Sequence, residues 1–195
     1  LIFTDKFQIQ NMAYTESNML PLGTKAPNFT LPDTLSDKEI TLYEMPPAKA
    51  TLIMFLCNHC PYVIHVNPEI VRIAADYKNA GVQFVGISSN NAIKYPQDGP
   101  EKMTEHGKET GYTFPYLYDE SQEIARIYDA ACTPDFYLFD EHLHLVYRGR
   151  IDSSRPGNDK PLDGSDLRQA IDNVLAGKEN SPVQYPSAGC NIKWK

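Results

Sequence analysis

Two cysteines three residues apart carry the clearest chemical potential in this sequence. Cys57 and Cys60 enclose Asn58 and His59, and they follow the continuous apolar run 51–56. A helical pattern of apolar residues begins directly after them, so the pair is predicted to lie where a buried strand gives way to a helix. The unpaired N–H groups and the positive end of the helix dipole at such a junction stabilise a thiolate, which we expect at Cys57.

This spacing allows thiol-disulfide exchange. Cys60 lies within one helical turn of Cys57 and can close a disulfide with it, so the two thiols can attack a substrate disulfide, form a mixed disulfide and release it. We expect His59, as a cation or a hydrogen-bond donor, to stabilise the Cys57 thiolate further. Two other interpretations stay open. The cysteines are buried and inert, or they form half of a metal site to which His59, His65 or Cys190 adds ligands.

Composition and charge limit the classes of partner. The chain has 195 residues, 42% of them hydrophobic, and a formal net charge of -7. Nucleic acid and anionic membranes are therefore disfavoured as partners. No apolar run is long enough to cross a membrane, and the first residues lack a secretory pattern, so we expect a cytoplasmic protein. In that reducing compartment a Cys-x-x-Cys sequence indicates redox or metal chemistry rather than a structural bridge.

The elements that must position the pair alternate between strand and helix patterns. Strand patterns over 51–56 and 82–88 flank a helix over 62–78, in which we expect Pro68 to cause a kink or a restart. Such a crossover makes the two strands parallel. The later patterns predict helices over 100–108, 121–128 and 162–176, an extended stretch over 112–118, and a hairpin of strands 135–139 and 143–150. A hairpin beside parallel strands predicts an α/β fold, with a mixed sheet and helices on both faces.

The domain organisation is predicted to be simple. Residues 1–20 form a polar, loosely ordered N-terminal extension, in which Met12 is a candidate start. Residues 21–195 form a single domain, with an N-terminal arm over 22–44 and a C-terminal tail over 178–195.

Five segments of the chain share their residues with one known family. They are Leu22-Gly23-x-x-Ala26-Pro27-x-Phe29-x-Leu31-Pro32, Phe55-Leu56-Cys57-Asn58-His59-Cys60-Pro61-Tyr62-Val63, Ile87-Ser88-Ser89-Asn90, Cys132-Thr133-Pro134-Asp135-Phe136 and Gly189-Cys190-Asn191-Ile192-Lys193-Trp194. Over residues 22–194 the chain thus resembles the thioredoxin-like superfamily, and within it the peroxiredoxin-like branch of the alkyl hydroperoxide reductase/thiol-specific antioxidant (AhpC/TSA, redoxin) family. The resemblance implies a thioredoxin-like fold with an N-terminal arm and a C-terminal extension.

The resemblance also implies roles for residues outside the Cys-x-x-Cys pair. It implies a cis peptide bond between Thr133 and Pro134 that faces the two cysteines, with neighbouring backbone groups that pair with a substrate chain. Cys132 would then lie close to the pair, either as a small core residue or as a third thiol able to exchange with Cys57. For Cys190 two interpretations stay open, a resolving thiol on the tail and a packed cysteine beside Trp194.

These observations predict a thiol-disulfide oxidoreductase of cell redox homeostasis, with Cys57 as nucleophile and Cys60 as resolving thiol. Its partners would be protein or small-molecule disulfides and thiols, with an unidentified thiol electron donor. No cofactor, resident metal, nucleic acid or membrane is expected.

The alternative is a thiol-dependent peroxidase that reduces hydroperoxides, with Cys60, Cys132 or Cys190 as the resolving thiol. The family's peroxidases carry Thr three residues before the reactive cysteine, where this chain has Met54, and an Arg, for which Arg148 and Arg150 are candidates. A metal-binding module that uses Cys57, Cys60 and a histidine is a minor alternative.

Overall fold

A computed structural model describes residues 14–195 of the chain. Residues 1–13, including the candidate start at Met12, lie outside the described residues. In chain order the strands are β1 (Tyr14–Glu16), β2 (Thr30–Asp33), β3 (Lys38–Thr41), β4 (Ala50–Phe55), β5 (Val82–Ser88), β6 (Tyr116–Tyr118), β7 (Cys132–Thr133), β8 (Asp135–Asp140), β9 (Leu145–Gly149) and β10 (Ala188–Asn191). The α-helices are α1 (Pro61–Tyr77), α2 (Pro100–Thr110), α3 (Glu123–Ile127) and α4 (Ser165–Leu175).

A mixed sheet of seven strands forms the centre of the molecule, in the order β3-β2-β6-β5-β4-β8-β9. The strands β4, β5 and β6 are parallel, whereas β8 runs antiparallel to β4 and β9 to β8. Every residue of β4 is buried, as the apolar run predicted. The α/β class and the mixed sheet are therefore confirmed. Among residues 14–195, none of the helices has the length and apolar character that a membrane span requires.

Alternate residues of β4 enter two separate cores, one on each face of the sheet. Leu52 and Met54 pack in the core that α1 and α4 cover, whereas Ile53 and Phe55 pack in the core that α3 and the N-terminal arm cover. This is the period-two alternation of a strand that is buried on both faces. The sheet is thus fixed from both sides, and its strand ends provide a rigid base for the site.

Helix α1 follows β4 directly and starts at the second cysteine. Its N-cap residue is Cys60, and Pro61 occupies the first helical position, where the missing N–H of proline is not needed. The helix does not restart at Pro68, as the sequence had suggested, but continues to Tyr77. Pro68 and Ile64, the residue whose carbonyl loses its partner, are both exposed, so water can satisfy that carbonyl.

The two ends of the described chain meet in a second, three-stranded sheet of order β1-β10-β7. Both neighbours run antiparallel to β10, which contributes the central strand. The sequence predicted a loosely ordered N-terminal extension and an irregular tail. The structure differs, because residues 14–16 and 188–191 supply each other with backbone hydrogen-bond partners. The edge strand β7 leads directly into the cysteine site.

Candidate active site

The Cys-x-x-Cys pair lies between the end of β4 and the start of α1, where the sequence placed it. Both cysteines are buried, with exposed fractions of 1% for Cys57 and 0% for Cys60. Cys57 Sγ lies 3.3 Å from Oγ1 of Thr133, and Cys60 Sγ lies 3.3 Å from the carbonyl oxygen of the same residue. The peptide bond from Thr133 to Pro134 is cis, as predicted. One residue of β7 therefore contacts both sulfur atoms.

A third sulfur atom belongs to the same cluster. Cys190 Sγ lies 2.6 Å from Cys60 Sγ, although 130 residues separate the two positions. Cys132 is also buried, but its sulfur atom lies 3.8 Å from the carbonyl oxygen of Pro134. All four cysteines are thiols. The thiol in contact with the pair is therefore the one on the tail, and it touches Cys60 rather than Cys57.

The two thiols of the pair differ in acidity. Burial raises the pKa of Cys57, and its hydrogen bond to Cys60 and the negative charge of Asp98 raise it further. Burial also opposes the ionisation of Cys60, but hydrogen bonds from the Cys190 and Cys57 thiols and from the backbone N–H of Val63 outweigh it and lower its pKa. The structure thus places the more acidic thiol at Cys60, whereas the helix-start argument predicted it at Cys57. The reason is local, since Cys60 itself is the N-cap and receives two thiol donors.

His59 faces a buried carboxylate. Its Nδ1 atom lies 2.6 Å from Oδ2 of Asp98, a charge contact when the imidazole is protonated, although the N–H direction does not form a hydrogen bond. The imidazole stacks on Tyr95, with ring centroids 5.6 Å apart and planes 2° from parallel. Asp98 is completely buried and accepts hydrogen bonds of 2.8 Å from the Asn58 backbone N–H and from the side chain of Asn90. His59 thus lies beside Asp98, and its ligand nitrogen is also within 4.8 Å of the Cys57 sulfur atom. Its stabilisation of a Cys57 thiolate stays a prediction.

The sequence analysis missed Asp98. This residue ends a short 3₁₀ turn, Pro96–Asp98, in a polar segment whose composition suggests exposure. Its hydrogen-bond partners are Asn90, eight residues before it, and Asn58, 40 residues before it. The one available signal is position, because the segment follows the carboxyl end of β5, where α/β sheets form their sites.

The residues that could bind a metal ion differ from the set expected from sequence. Ligand atoms of Cys57, His59 and Asp98 all lie within 4.8 Å of one another. Cys60 is engaged by Cys190, and Nε2 of His65 lies 2.7 Å from Oγ of Ser154. One sulfur, one nitrogen and one oxygen donor suit a borderline metal such as Zn²⁺, which takes four ligands.

The arginines suggested for a peroxidase have other partners. Nε of Arg148 donates to the carbonyl oxygen of Leu20 at 2.8 Å, and Nε of Arg150 donates to Oδ2 of Asp166 at 2.5 Å. Both belong to the region of β9, at the edge of the large sheet, whereas the cysteines follow the central strand β4. Neither arginine is a contact of Cys57 in the described part of the chain.

Comparison with known proteins now identifies the family. The family model named Redoxin matches residues 21–170. This chain belongs to the redoxin family. A crystal structure of an uncharacterized conserved protein from Geobacillus kaustophilus is 52% identical and covers 95% of this chain and 98% of its own, with a TM-score of 0.93.

More distant relatives of this redoxin carry functional names. The thiol-disulfide oxidoreductase ResA of Halalkalibacterium halodurans is 24% identical over 68% of this chain and 70% of its own length. A protein of Mycobacterium tuberculosis named as a candidate peroxiredoxin is 28% identical over 60% of this chain and 68% of its own length. The thioredoxin domain of an oxidoreductase from Bacteroides vulgatus is 18% identical, covers 77% of this chain and 97% of its own, and has a TM-score of 0.60. The thioredoxin-like fold and the resemblance to the AhpC/TSA family are confirmed, and the redoxin is an oxidoreductase with thiol or disulfide substrates.

Proposed function

We propose that this redoxin is a thiol-disulfide oxidoreductase whose exchanging pair is Cys57 and Cys60. The contact of both sulfur atoms with Thr133, each at 3.3 Å, carries this proposal. It holds the two thiols together at one residue of strand β7. Protein or small-molecule disulfides are the substrates, in line with the name that ResA carries.

The acidity of the two thiols sets the order of the steps. Since the pKa of Cys60 is lowered and that of Cys57 is raised, Cys60 ionises more readily than Cys57. A thiolate attacks a substrate disulfide and forms a mixed disulfide, which the second thiol then displaces. The lowered pKa of Cys60 favours this thiol for the first attack, which reverses the roles expected from sequence. The contact of both sulfur atoms with Thr133 keeps Cys57 beside Cys60 for the second step.

The experiment is a titration in glutathione redox buffers with mass-spectrometric mapping of the disulfides. We expect a Cys57–Cys60 disulfide with a defined reduction potential, loss of model-disulfide turnover in Cys60→Ser and reduced turnover in Cys57→Ser. The matched variant Cys132→Ser removes a buried thiol outside the sulfur cluster and should still form the Cys57–Cys60 disulfide. Full turnover by Cys57→Ser would refute the proposal.

A thiol-dependent peroxidase is the second candidate function. The burial of both sulfur atoms favours it, because a small hydroperoxide needs less room than a polypeptide. The absence of an arginine partner for Cys57 among the described residues weighs against it. The test is hydroperoxide consumption with a thiol donor. A rate no greater than that of the free donor thiol excludes this candidate.

The minor alternative, a metal-binding module, has a direct test. Protein purified without chelator is analysed for bound metal, and the analysis is repeated on Asp98→Asn, which removes one of the three candidate ligands. Because metal ligands must be deprotonated, loading is compared at two pH values. A metal content below about a tenth of an equivalent at both pH values excludes the module.

A further inference from the structure

The strand β10 lies directly on the cysteine site. It pairs antiparallel with β7, so that Cys190 lies opposite Thr133 and Asn191 lies opposite Cys132. Among the described residues β7 is the last strand of its sheet and pairs with β10 alone. A peptide that adds to a sheet forms the same kind of pairing with an edge strand. The tail thus occupies the edge that an extended segment of another molecule would use.

The sequence of β10 is suited to this close approach. Gly189 lies against the backbone of Thr133, and a Cβ atom on it would be 2.0 Å from the Thr133 carbonyl oxygen and 2.8 Å from the carbonyl carbon. Any other residue at this position would push β10 away from β7. Glycine therefore sets the distance that brings the next residue, Cys190, into contact with the pair.

The contact between Cys190 and Cys60 brings two sulfur atoms close enough to react. Its sulfur atom is 2.6 Å from Cys60 Sγ, and a disulfide bond is about 2.05 Å long, so bond formation needs little movement. The hydrogen bond to Cys60 is the largest of the causes that raise the pKa of Cys190, and burial adds to it. The two sulfur atoms are therefore hydrogen-bonded to each other, which is the arrangement for proton and sulfur exchange.

We propose that β10 is an internal substrate strand and that Cys190 is a third exchanging thiol, which takes over the disulfide of the Cys57–Cys60 pair by reaction at Cys60. The inference rests on the proposed function, since that function supplies the oxidised pair. It assigns Cys190 to Cys60, whereas the sequence had offered it as a resolving thiol for Cys57.

The exchange is balanced and needs no external oxidant. The Cys190 sulfur attacks Cys60 Sγ, the bond between Cys57 and Cys60 breaks, and its electron pair passes to the Cys57 sulfur. The proton that Cys190 loses ends on Cys57, whose raised pKa favours the neutral thiol. One disulfide is replaced by another, and Cys57 is released as a thiol.

The step has a structural result, because the Cys60–Cys190 bond ties β10 to α1. Hydrogen bonds already hold the start of the strand. Ser187 Oγ donates to the carbonyl oxygen of Pro134 at 2.5 Å, and the Ser187 backbone N–H donates to Oγ of Ser17 at 3.0 Å. The disulfide would close the site covalently, and an external disulfide reaches the pair after reduction of that bond and displacement of β10.

The decisive experiment maps disulfides in full-length Cys57→Ser after treatment with oxidised glutathione. Trypsin places Cys60 in peptide 50–72, Cys132 in peptide 127–148 and Cys190 in peptide 179–193, so each pairing has its own mass. We expect a cross-link between peptides 50–72 and 179–193 in most chains. A glutathione adduct on Cys60 together with an alkylated Cys190 would overturn the inference.

A second variant tests the strand without removing a cysteine. We expect Gly189→Ala to raise the alkylation rate of Cys60 in the reduced protein by about tenfold, because the strand must leave β7. It should also remove the cross-link from the Cys57→Ser background. Asn191→Ala is the matched control, as it lies in the same strand and adds no atom toward β7. Equal alkylation rates in the wild type and Gly189→Ala would contradict a closing role for β10.

The two proposals fail in different ways. If Cys190→Ser forms no Cys57–Cys60 disulfide in the redox titration, the proposed function is wrong. If Cys190→Ser forms that disulfide but Cys57→Ser forms no Cys60–Cys190 cross-link, the proposed function stands and the internal substrate strand is wrong.

Discussion

At the scale of single residues, Asp98 affects both the loop between the cysteines and the pKa of Cys57, although it lies in a polar segment of the sequence. It holds the loop between the cysteines through the Asn58 backbone and lies beside His59. Its negative charge is also one cause of the raised pKa of Cys57. Asp98 thus connects the geometry of the loop with the acidity of the first cysteine.

We expect Asp98→Asn to lower the pKa of Cys57, because the substitution removes a negative charge that disfavours the thiolate. The comparison is made in a Cys60→Ser background, where the effect of the Cys60 thiol is absent. A decrease of about one pKa unit, or 1.36 kcal/mol, corresponds to about tenfold faster alkylation of Cys57 at neutral pH. The measurement is the pH dependence of the iodoacetamide reaction.

Asp37→Asn is the control, since it removes one exposed carboxylate and leaves the site intact. If both substitutions change the alkylation rate equally, the effect comes from net charge and not from the position of Asp98.

The position of Cys57 and Cys60 between a strand and a helix could be predicted from sequence, but the electrostatics around them could not. Cys57 and Cys60 are close in the chain, so their spacing and the following helix pattern were sufficient. The acidity of each thiol depends on Asp98 and Cys190, which come from distant segments. Such contacts have no local signature, so the helix-start argument did not include them.

At the scale of elements, a buried carboxylate joins the small sheet to the large one. Asp135 is the first residue of β8, and Oδ1 of its side chain accepts a hydrogen bond of 2.7 Å from Ser17, which follows β1. Oδ2 accepts a hydrogen bond of 2.9 Å from the hydroxyl of Tyr137. Burial raises the pKa of Asp135 to about 7, although these hydrogen bonds partly oppose it.

Asp135 should therefore make the free energy of unfolding depend on pH. Because its pKa is higher in the folded state than its ordinary value of 3.8, the folded chain binds more protons between about pH 4 and pH 7. Its contribution to stability is full below that window and is lost as the pH rises through it, with a slope of at most about 1.4 kcal/mol per pH unit. We expect Asp135→Asn to remove this component.

The measurement is urea unfolding of the wild type and Asp135→Asn at several pH values from 4 to 8. The control is Glu39→Gln, which removes one exposed carboxylate and so accounts for the general titration of carboxylates. A difference between the wild type and Asp135→Asn that is constant across this range would show that Asp135 is ionised throughout.

Elements with a strong periodic pattern were predicted closely, and short ones were not. The strand expected over 82–88 is β5 with the same bounds, and the helix expected over 62–78 is α1 within one residue at each end. By contrast, β10 contains Ala, Gly, Cys and Asn, which show no alternation of apolar and polar residues. It is a strand because β1 and β7 pair with it, and this pairing joins residues that are far apart in sequence.

At the scale of the whole molecule, the tail beyond β10 is fastened across the carboxyl ends of the parallel strands. Gln122 binds it twice, as its Nε2 donates to the Lys193 carbonyl oxygen and its Oε1 accepts from the Lys195 backbone N–H, both at 2.9 Å. Oδ1 of Asn90 accepts a hydrogen bond of 2.8 Å from the Lys193 backbone N–H. The closure of the site thus depends on loops outside it.

We expect Gln122→Asn to loosen the tail. Gln122 has a φ of 65°, a conformation that asparagine tolerates well, so the shorter side chain withdraws the amide without straining the backbone. Loss of two hydrogen bonds of about 1 kcal/mol each should speed amide exchange of residues 188–195 by about thirtyfold. Hydrogen-exchange mass spectrometry measures this, with the exposed Gln169→Asn on α4 as the control. Unchanged protection of the tail would show that β10 alone holds it.

The tail also contains the sole tryptophan of the chain, Trp194, with its ring 4.5 Å from the guanidinium carbon of Arg126. The emission of an indole ring changes when a stacked cation moves away. The tryptophan fluorescence of the protein therefore reports the surroundings of Trp194, four residues beyond Cys190. Rapid-mixing experiments with an oxidant or a reductant can therefore follow the tail in real time on the unlabelled protein. Emission that changes in step with the disulfides would mean that tail movement and sulfur chemistry are one event, and a lag would separate them.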